Sequence, residues 1–169
     1  MSHTTKPSRA LVAYAAVTAA ILVGATAVAC GSDDTPVVPK TPTWTATLNG
    51  ANENPARATT ATGTGTIVKN GSTYTYTINY SGLTTAPNNA HIHAPAPVGQ
   101  NANVMVPFSI AGATGTSGTI TGTFTAANTN PSITSDSLDV LMTNGLAYVN
   151  VHSTTYPGGE IRGQLSKQQ

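Results

Sequence analysis

The chain has 169 residues, carries a formal net charge of +1, and only 8% of its residues are charged. This composition excludes a disordered acidic or basic tail, and the absence of a basic patch argues against nucleic-acid binding. The single cysteine excludes an internal disulfide. Threonine, glycine, asparagine and alanine are abundant instead, which is typical of an all-β domain with short strands and tight turns.

Residues 1–29 are predicted to be a signal peptide. Lys6 and Arg9 supply positive charge, and an uncharged, largely apolar stretch follows over residues 10–28. Small residues then precede Cys30, and this arrangement resembles the leader of a bacterial lipoprotein, whose cysteine receives the lipid. The same stretch also fits an ordinary secretory cleavage site, or an uncleaved membrane anchor.

Residues 30–43 are predicted to be a tether. Three prolines and few apolar side chains favour an extended, solvated spacer. The lipoprotein resemblance implies that lipid on Cys30 holds the protein to a membrane outside the cytoplasm, at the outer membrane, in the periplasm or at the cell surface. The folded domain is predicted over residues 44–166, with residues 167–169 as a tail.

Alternating apolar and polar residues predict about eight short strands in this domain. The clearest covers residues 73–80, where one face carries tyrosine and isoleucine at every second position and the other carries threonine and asparagine. We interpret the aromatic face as core packing rather than as a binding strip.

The only helix candidate lies within residues 131–145. Ser135 or Asp136 is a suitable N-cap, apolar residues follow at helical spacing, and Gly145 is a suitable stop. With the strands, this predicts an all-β fold: an antiparallel Greek-key β-sandwich or barrel of about eight strands with one short helix.

The last two long strands are predicted to form a hairpin. Residues 148–152 and 160–165 both alternate, and the Pro-Gly-Gly sequence at residues 157–159 supplies the turn. Burying the apolar residues together places Val151 opposite Ile161. The other face then gathers a histidine, a carboxylate, an amide and a guanidinium. These are His152, Glu160, Asn150 and Arg162.

A second pair of histidines, His91 and His93, lies at i and i+2 on the predicted strand over residues 87–94 and therefore on one face. With His152 they offer three imidazoles, which suit copper or zinc and leave a position open for another ligand.

Three polar neighbours are expected to orient the histidines, in particular His152. They are Asn150, Glu160 and Arg162. A structural alternative stays open, in which the histidines bond to loop backbone or to Glu160, while Glu160 and Arg162 satisfy each other or nearby backbone.

Several motifs resemble the CHRD domain, a family named after chordin. They are distributed from the start of the domain to its last hairpin. The matching pieces are Ala46–Pro55, Tyr76–Leu83, Ala90–His93, Leu146–His152 and Tyr156–Gln164. The resemblance implies an extracytoplasmic β-sandwich, and it implies no particular activity.

A more distant likeness is to copper/zinc superoxide dismutases. A His-x-His strand, with a Val-x-Val-His strand ahead of a glycine-rich hairpin, is similar to their copper side. By this likeness His91, His93 and His152 correspond to copper ligands. No further histidine follows the leader to bridge a second metal, and no zinc loop is present, so a bimetallic dismutase is not expected.

Three hypotheses follow. The first is a membrane-tethered binding module with a three-histidine copper or zinc site and no enzymatic activity. The second is a mononuclear copper oxidoreductase. The third is a structural or adhesive surface domain that binds no metal and recognises an unknown protein or polysaccharide. The commoner hydrolases are excluded, because the sequence shows no Ser/His/Asp set, phosphate loop or carboxylate pair.

Overall fold

A computed structural model describes residues 40–169, in which nine β-strands run antiparallel to their neighbours. The strands are β1 (Thr43–Asn49), β2 (Thr62–Asn70), β3 (Thr73–Ser81), β4 (Pro87–His93), β5 (Val104–Pro107), β6 (Gly118–Thr125), β7 (Tyr148–Ser153), β8 (Ile161–Gln164) and β9 (Ser166–Lys167). The helix α1 (Ser135–Thr143) lies between β6 and β7. The predicted signal peptide, Cys30 and most of the predicted tether lie outside the described residues.

The strands form one sheet in the order β5-β4-β7-β8-β1-β2-β3-β6, and β9 pairs with β1. The sheet curves into a nearly closed barrel. These features confirm the predicted all-β antiparallel fold with about eight strands and one short helix. The order places β4, β7 and β8 side by side, so that residues far apart in sequence meet on their shared outer face.

The core lies on the inner face of the barrel, because every second residue of each long strand points inward. Its largest fully buried apolar side chains come from most of the strands and from α1. They are Trp44, Leu48, Ile67, Tyr74, Ile78, Ile92, Ile120, Leu138, Met142 and Ile161. Tyr76 stacks on Phe108 at 4.1 Å, and Tyr74 stacks on Phe124 at 5.0 Å between ring centroids. The aromatic face of β3 is therefore core, as predicted.

The N-cap of the helix lies one residue before the predicted candidates, Ser135 and Asp136. Thr134 has an extended backbone, and its hydroxyl accepts a hydrogen bond from the amide of Ser137 at 3.2 Å, which makes Thr134 the N-cap. Gly145 follows the helix with a φ of +65°, a left-handed conformation that glycine adopts without steric cost. No helix within residues 40–169 is long and apolar enough to cross a membrane.

The fifth strand, β5, has only four residues. It ends at Pro107, which has no amide hydrogen to continue the ladder. The next residue, Phe108, then packs into the core against Tyr76.

Two loops, residues 50–61 and 94–103, pack against the outer face of β7 and β8 and bind each other. Asn101 donates a hydrogen bond to the Asn54 carbonyl at 2.9 Å, and Asn54 donates one to the Gly99 carbonyl at 2.8 Å. All six residues of β7 are buried as a result, polar ones included. The loops therefore turn an outer strand face into an enclosed polar site.

Candidate metal centre

Three histidines converge on the enclosed outer face. Each of His91, His93 and His152 offers a ring nitrogen, and these three atoms lie within 4.8 Å of one another. The pairing of β4 with β7 causes this convergence, because it sets His91 opposite Asn150 and His93 opposite Tyr148. The three side chains are only 8–9% exposed. The face of β4 that carries His91 and His93 and the face of β7 that carries His152 therefore form one continuous surface.

Backbone carbonyls fix the orientation of two of the rings. The Nδ1 atom of His93 lies 2.9 Å from the Ala102 carbonyl oxygen, and Nδ1 of His152 lies 3.0 Å from the Pro157 carbonyl oxygen. A carbonyl can only accept, so both Nδ1 atoms carry hydrogen and both Nε2 atoms have a free lone pair. The Nε2 atom of His93 is buried and has no hydrogen-bond partner. The lone pair of that atom is therefore free to coordinate a metal.

The third ring completes the set through its other nitrogen. Nδ1 of His91 lies 3.1 Å from Nε2 of His152. Because the latter atom is an acceptor, Nδ1 of His91 donates to it when no ion is bound. To ligate a metal through Nδ1, His91 would take the other neutral tautomer, with its proton on Nε2, and the ion would then face lone pairs from both nitrogens. The residues therefore fit one ion with two Nε2 ligands and one Nδ1 ligand.

Burial keeps the imidazoles uncharged. Desolvation, together with the smaller effects of the charges of His152 and His93, lowers the pKa of His91 to about 4. Desolvation also lowers the pKa of His93, which the charges of His152 and Arg162 reinforce and the hydrogen bond to Ala102 opposes. The pKa of His152 falls for the same main reason. Neutral imidazole is the form that ligates metals, so at neutral pH the three rings are in the form that could hold an ion.

An aromatic ring and a buried cation flank the histidines. Tyr148 stacks on His93 with centroids 4.9 Å apart and planes inclined by 4°. The guanidinium carbon of Arg162 lies 3.4 Å from the Tyr148 ring centroid. Arg162 donates to the Asn101 side chain at 3.1 Å and to the Gln100 carbonyl at 2.6 Å, and it is 1% exposed. The loop over residues 94–103 thus holds this cation in place.

The predicted register of the last hairpin is confirmed. Val151 pairs with Ile161, and Asn150 pairs with Arg162. The side chain of Asn150 donates to Glu53 at 3.4 Å rather than to a histidine. Asn150 nevertheless lies on the same surface, between His91 of β4 and Arg162 of β8.

Glu160 bonds elsewhere than to the histidines. Its Oε1 accepts from the Thr59 hydroxyl and from the Thr84 amide, both at 2.9 Å, and its Oε2 accepts from the Thr84 hydroxyl at 3.0 Å. Nδ1 of His152 donates its hydrogen bond to the Pro157 carbonyl instead. Within residues 40–169 the one salt bridge joins Lys69 to Asp139, so Glu160 and Arg162 form no ion pair.

Glu53 belongs to this enclosed face, although it is not among the predicted site residues. Burial raises its pKa to about 7, while the charges of Arg162 and Arg57 and the hydrogen bond from Asn150 act in the opposite direction. Oε1 of Glu53 and Oδ1 of Asn150 are both buried without a partner. Both atoms lie within 2.7 Å of the position that a Cβ on Gly159 would occupy.

Two sequence signals could have pointed to the missed residues. Glu53 is the only carboxylate between Asp34 and Asp136, in a chain that is poor in charge. Tyr148, two and four residues before Asn150 and His152, lies on the same face of the predicted strand as they do. Neither signal says which loop covers that face.

A family model described as CHRD domain matches residues 44–165. The match spans the strands from β1 to β8 and includes all three histidines. A comparison with curated proteins finds no match.

Proposed function

Because the chain belongs to the CHRD domain family, we propose that it is a binding module whose ligand is one copper or zinc ion, held by His91, His93 and His152. The observation that carries this proposal is the buried, unpartnered Nε2 atom of His93 within a group of three converging ring nitrogens. A buried polar atom without a partner costs about 1–3 kcal/mol, and a metal bond would remove that cost.

The surrounding hydrogen bonds support the same proposal. Metal-binding histidines commonly donate their other ring nitrogen to a carbonyl or carboxylate, which fixes the tautomer and the ring orientation. Ala102 and Pro157 do this for His93 and His152. The protein's own contribution is therefore to hold three neutral imidazoles in place, away from water. The bound ion would supply a Lewis-acidic or one-electron centre.

A titration tests the metal site. The chain from residue 34 onward, which contains every described residue, would be titrated with Cu(I), Cu(II) and Zn(II) against competing chelators. We expect one ion per chain with submicromolar affinity. His93→Phe keeps a ring beside Tyr148 but removes the ligand nitrogen, so we expect it to weaken binding at least about 100-fold. Thr75→Ala, at an exposed position on β3, is the matched control and should bind like the unmodified chain.

Other results of that titration would assign a different function. If a folded, unmodified chain binds none of these ions, the metal site does not exist, and a structural or adhesive domain becomes the better description. If copper binds and the loaded protein turns over superoxide, the protein is a mononuclear copper oxidoreductase. Thermal unfolding of each variant without metal shows whether a loss of binding reflects a loss of folding.

We propose further that lipid on Cys30 tethers this module to a membrane outside the cytoplasm, on the basis of the leader sequence. In a bacterial host, Cys30→Ser is expected to move the protein from the membrane fraction to the soluble extracytoplasmic fraction. Mass spectrometry of the mature protein should show acyl chains on the unmodified form only. An unmodified mature N-terminus at another residue would contradict lipidation and indicate simple secretion.

A further inference from the structure

We propose that the three-histidine site is selective for Cu(I) over divalent ions, and that Arg162 is the residue that sets this preference. The inference rests on the proposed function, because it concerns which ion the same three nitrogens hold. Two observations support it: the three ligands are uncharged imidazoles, and the buried guanidinium of Arg162 stacks on Tyr148 beside them.

The ligands themselves bring no negative charge. Within residues 40–169 the group that can hold an ion consists of three histidines, and no carboxylate or thiolate joins it. The electrostatic cost of moving an ion from water into a buried site rises with the square of its charge. Neutral imidazoles repay part of that cost by coordination but do not neutralise it. A monovalent ion therefore enters this site at a much smaller cost than a divalent ion.

Arg162 strengthens this discrimination. Its guanidinium lies on the Tyr148 ring, and that ring stacks on His93, so a fixed positive charge is one aromatic ring away from a ligand. In the part of the chain that the structure describes, no carboxylate forms a salt bridge with Arg162. The repulsion between Arg162 and the ion is proportional to the charge of the ion, so it is twice as large for a divalent ion.

Within residues 40–169 neither nearby carboxyl group forms a salt bridge with Arg162 or joins the three converging ring nitrogens. Burial raises the pKa of Glu53 to about 7, so this group does not carry a full negative charge at neutral pH. The carboxylate of Glu160 is engaged by Thr59 and Thr84. Arg57, which also faces Glu53, adds a further positive charge.

Coordination number points the same way. Zn(II) in proteins is almost always tetrahedral and needs a fourth ligand. Among the described residues no further histidine, cysteine, aspartate or glutamate joins the three histidines, which are themselves only 8–9% exposed. Cu(I) is stable with three ligands, and imidazole suits copper. Three converging nitrogens therefore form a complete site for Cu(I), whereas Zn(II) would need a water or another outside ligand in its fourth position.

The test compares affinities and a redox potential in the chain from residue 34 onward. Dissociation constants for Cu(I) and Zn(II) would be measured by chelator competition, and the Cu(II)/Cu(I) potential by spectroelectrochemistry. We expect Cu(I) to bind at least about 100-fold more tightly than Zn(II). Arg162→Gln should bind Zn(II) more tightly and so reduce the preference for Cu(I) over Zn(II) about tenfold. It should also lower the Cu(II)/Cu(I) potential, by about 59 mV for each tenfold gain in Cu(II) affinity relative to Cu(I) affinity. Arg162→Lys keeps the charge and should retain the ratio.

The outcomes separate this inference from the proposed function. If the unmodified chain binds Zn(II) as tightly as Cu(I), the selectivity is wrong while the metal site stands. If it binds neither ion, both are wrong. If Arg162→Gln folds and leaves the ratio and the potential unchanged, the role of Arg162 is wrong. Should that variant fail to fold, the ratio in the unmodified chain and in Arg162→Lys still decides the selectivity.

Discussion

Replacing Glu53 with glutamine is expected to raise the free energy of unfolding by about 2–3 kcal/mol near pH 8.5, and to leave it nearly unchanged near pH 4. Burial raises the pKa of this carboxyl from 4.5 to about 7 in the folded chain. Above pH 7 the folded protein therefore holds a carboxylate that would be better solvated in the unfolded chain. Glutamine is neutral at every pH and avoids this cost.

The sign follows from proton linkage. Below the unfolded pKa of Glu53 both states bind the proton, and the carboxyl group contributes no pH dependence. Between that value and about 7 only the folded state stays protonated, so stability falls as pH rises, and above about 7 the full cost is present. The amide of a glutamine could also donate to the buried, unpartnered Oδ1 atom of Asn150, which adds to the gain.

Urea unfolding across this pH range measures the effect as a difference between the two proteins. The buried histidines titrate in both, so their contribution largely cancels. Glu160→Gln is the matched control, because that carboxylate accepts hydrogen bonds from Thr59 and Thr84 and an amide would lose some of them. It should destabilise by about 1–3 kcal/mol. A similar loss for Glu53→Gln would show that Glu53 is a stabilising carboxylate instead.

Gly159→Ala is expected to destabilise the protein by about 3 kcal/mol or more. Gly159 has a φ of +117°, which an L side chain rarely adopts. An added Cβ would lie 2.6 Å from Oδ1 of Asn150 and 2.7 Å from Oε1 of Glu53. Both side chains are buried, so relieving the contact requires them or the turn to move.

A second glycine separates the two causes of this loss. Gly71 also has a positive φ, of +61°, but nothing lies within 4 Å of its Cβ position. Gly71→Ala should therefore show only the backbone strain, about 1 kcal/mol. Thermal or urea unfolding of both variants gives the comparison. Equal losses would show that the space over Glu53 and Asn150 is not tightly filled.

The strands and the helix could be predicted because their signals are local. Alternation over residues 73–80 fixes which side chains of β3 point inward, whatever the strand pairs with. The register of β7 against β8 was also accessible, since only the pairing of Val151 with Ile161 buries both apolar sets. The N-cap differed by one residue from the nearer candidate, because Thr134, Ser135 and Asp136 are all acceptable caps and only the backbone conformation selects among them.

The enclosure of the site could not be predicted in the same way. The spacing of two residues placed His91 and His93 on one face of a strand. The pairing of β4 with β7 is a long-range contact, however, and no local sequence pattern encodes it. The loop over residues 94–103 shows no periodicity that would direct it across β7 and β8. The raised pKa of Glu53 depends on both loops, because the burial that raises it exists only when the two loops pack over the sheet. Sequence alone therefore supplied the three histidines and not their surroundings.

The position of β1 has a mechanical consequence. This strand follows directly after the predicted tether, and it lies inside the sheet, paired along its full length with β2 and on its other edge with β8 and β9. Its hydrogen bonds run perpendicular to the strand, so tension applied through Thr43 would load many of them together in shear. A domain pulled at this end would resist extension, and the force would reach the barrel without opening the histidine-bearing strands β4 and β7 first.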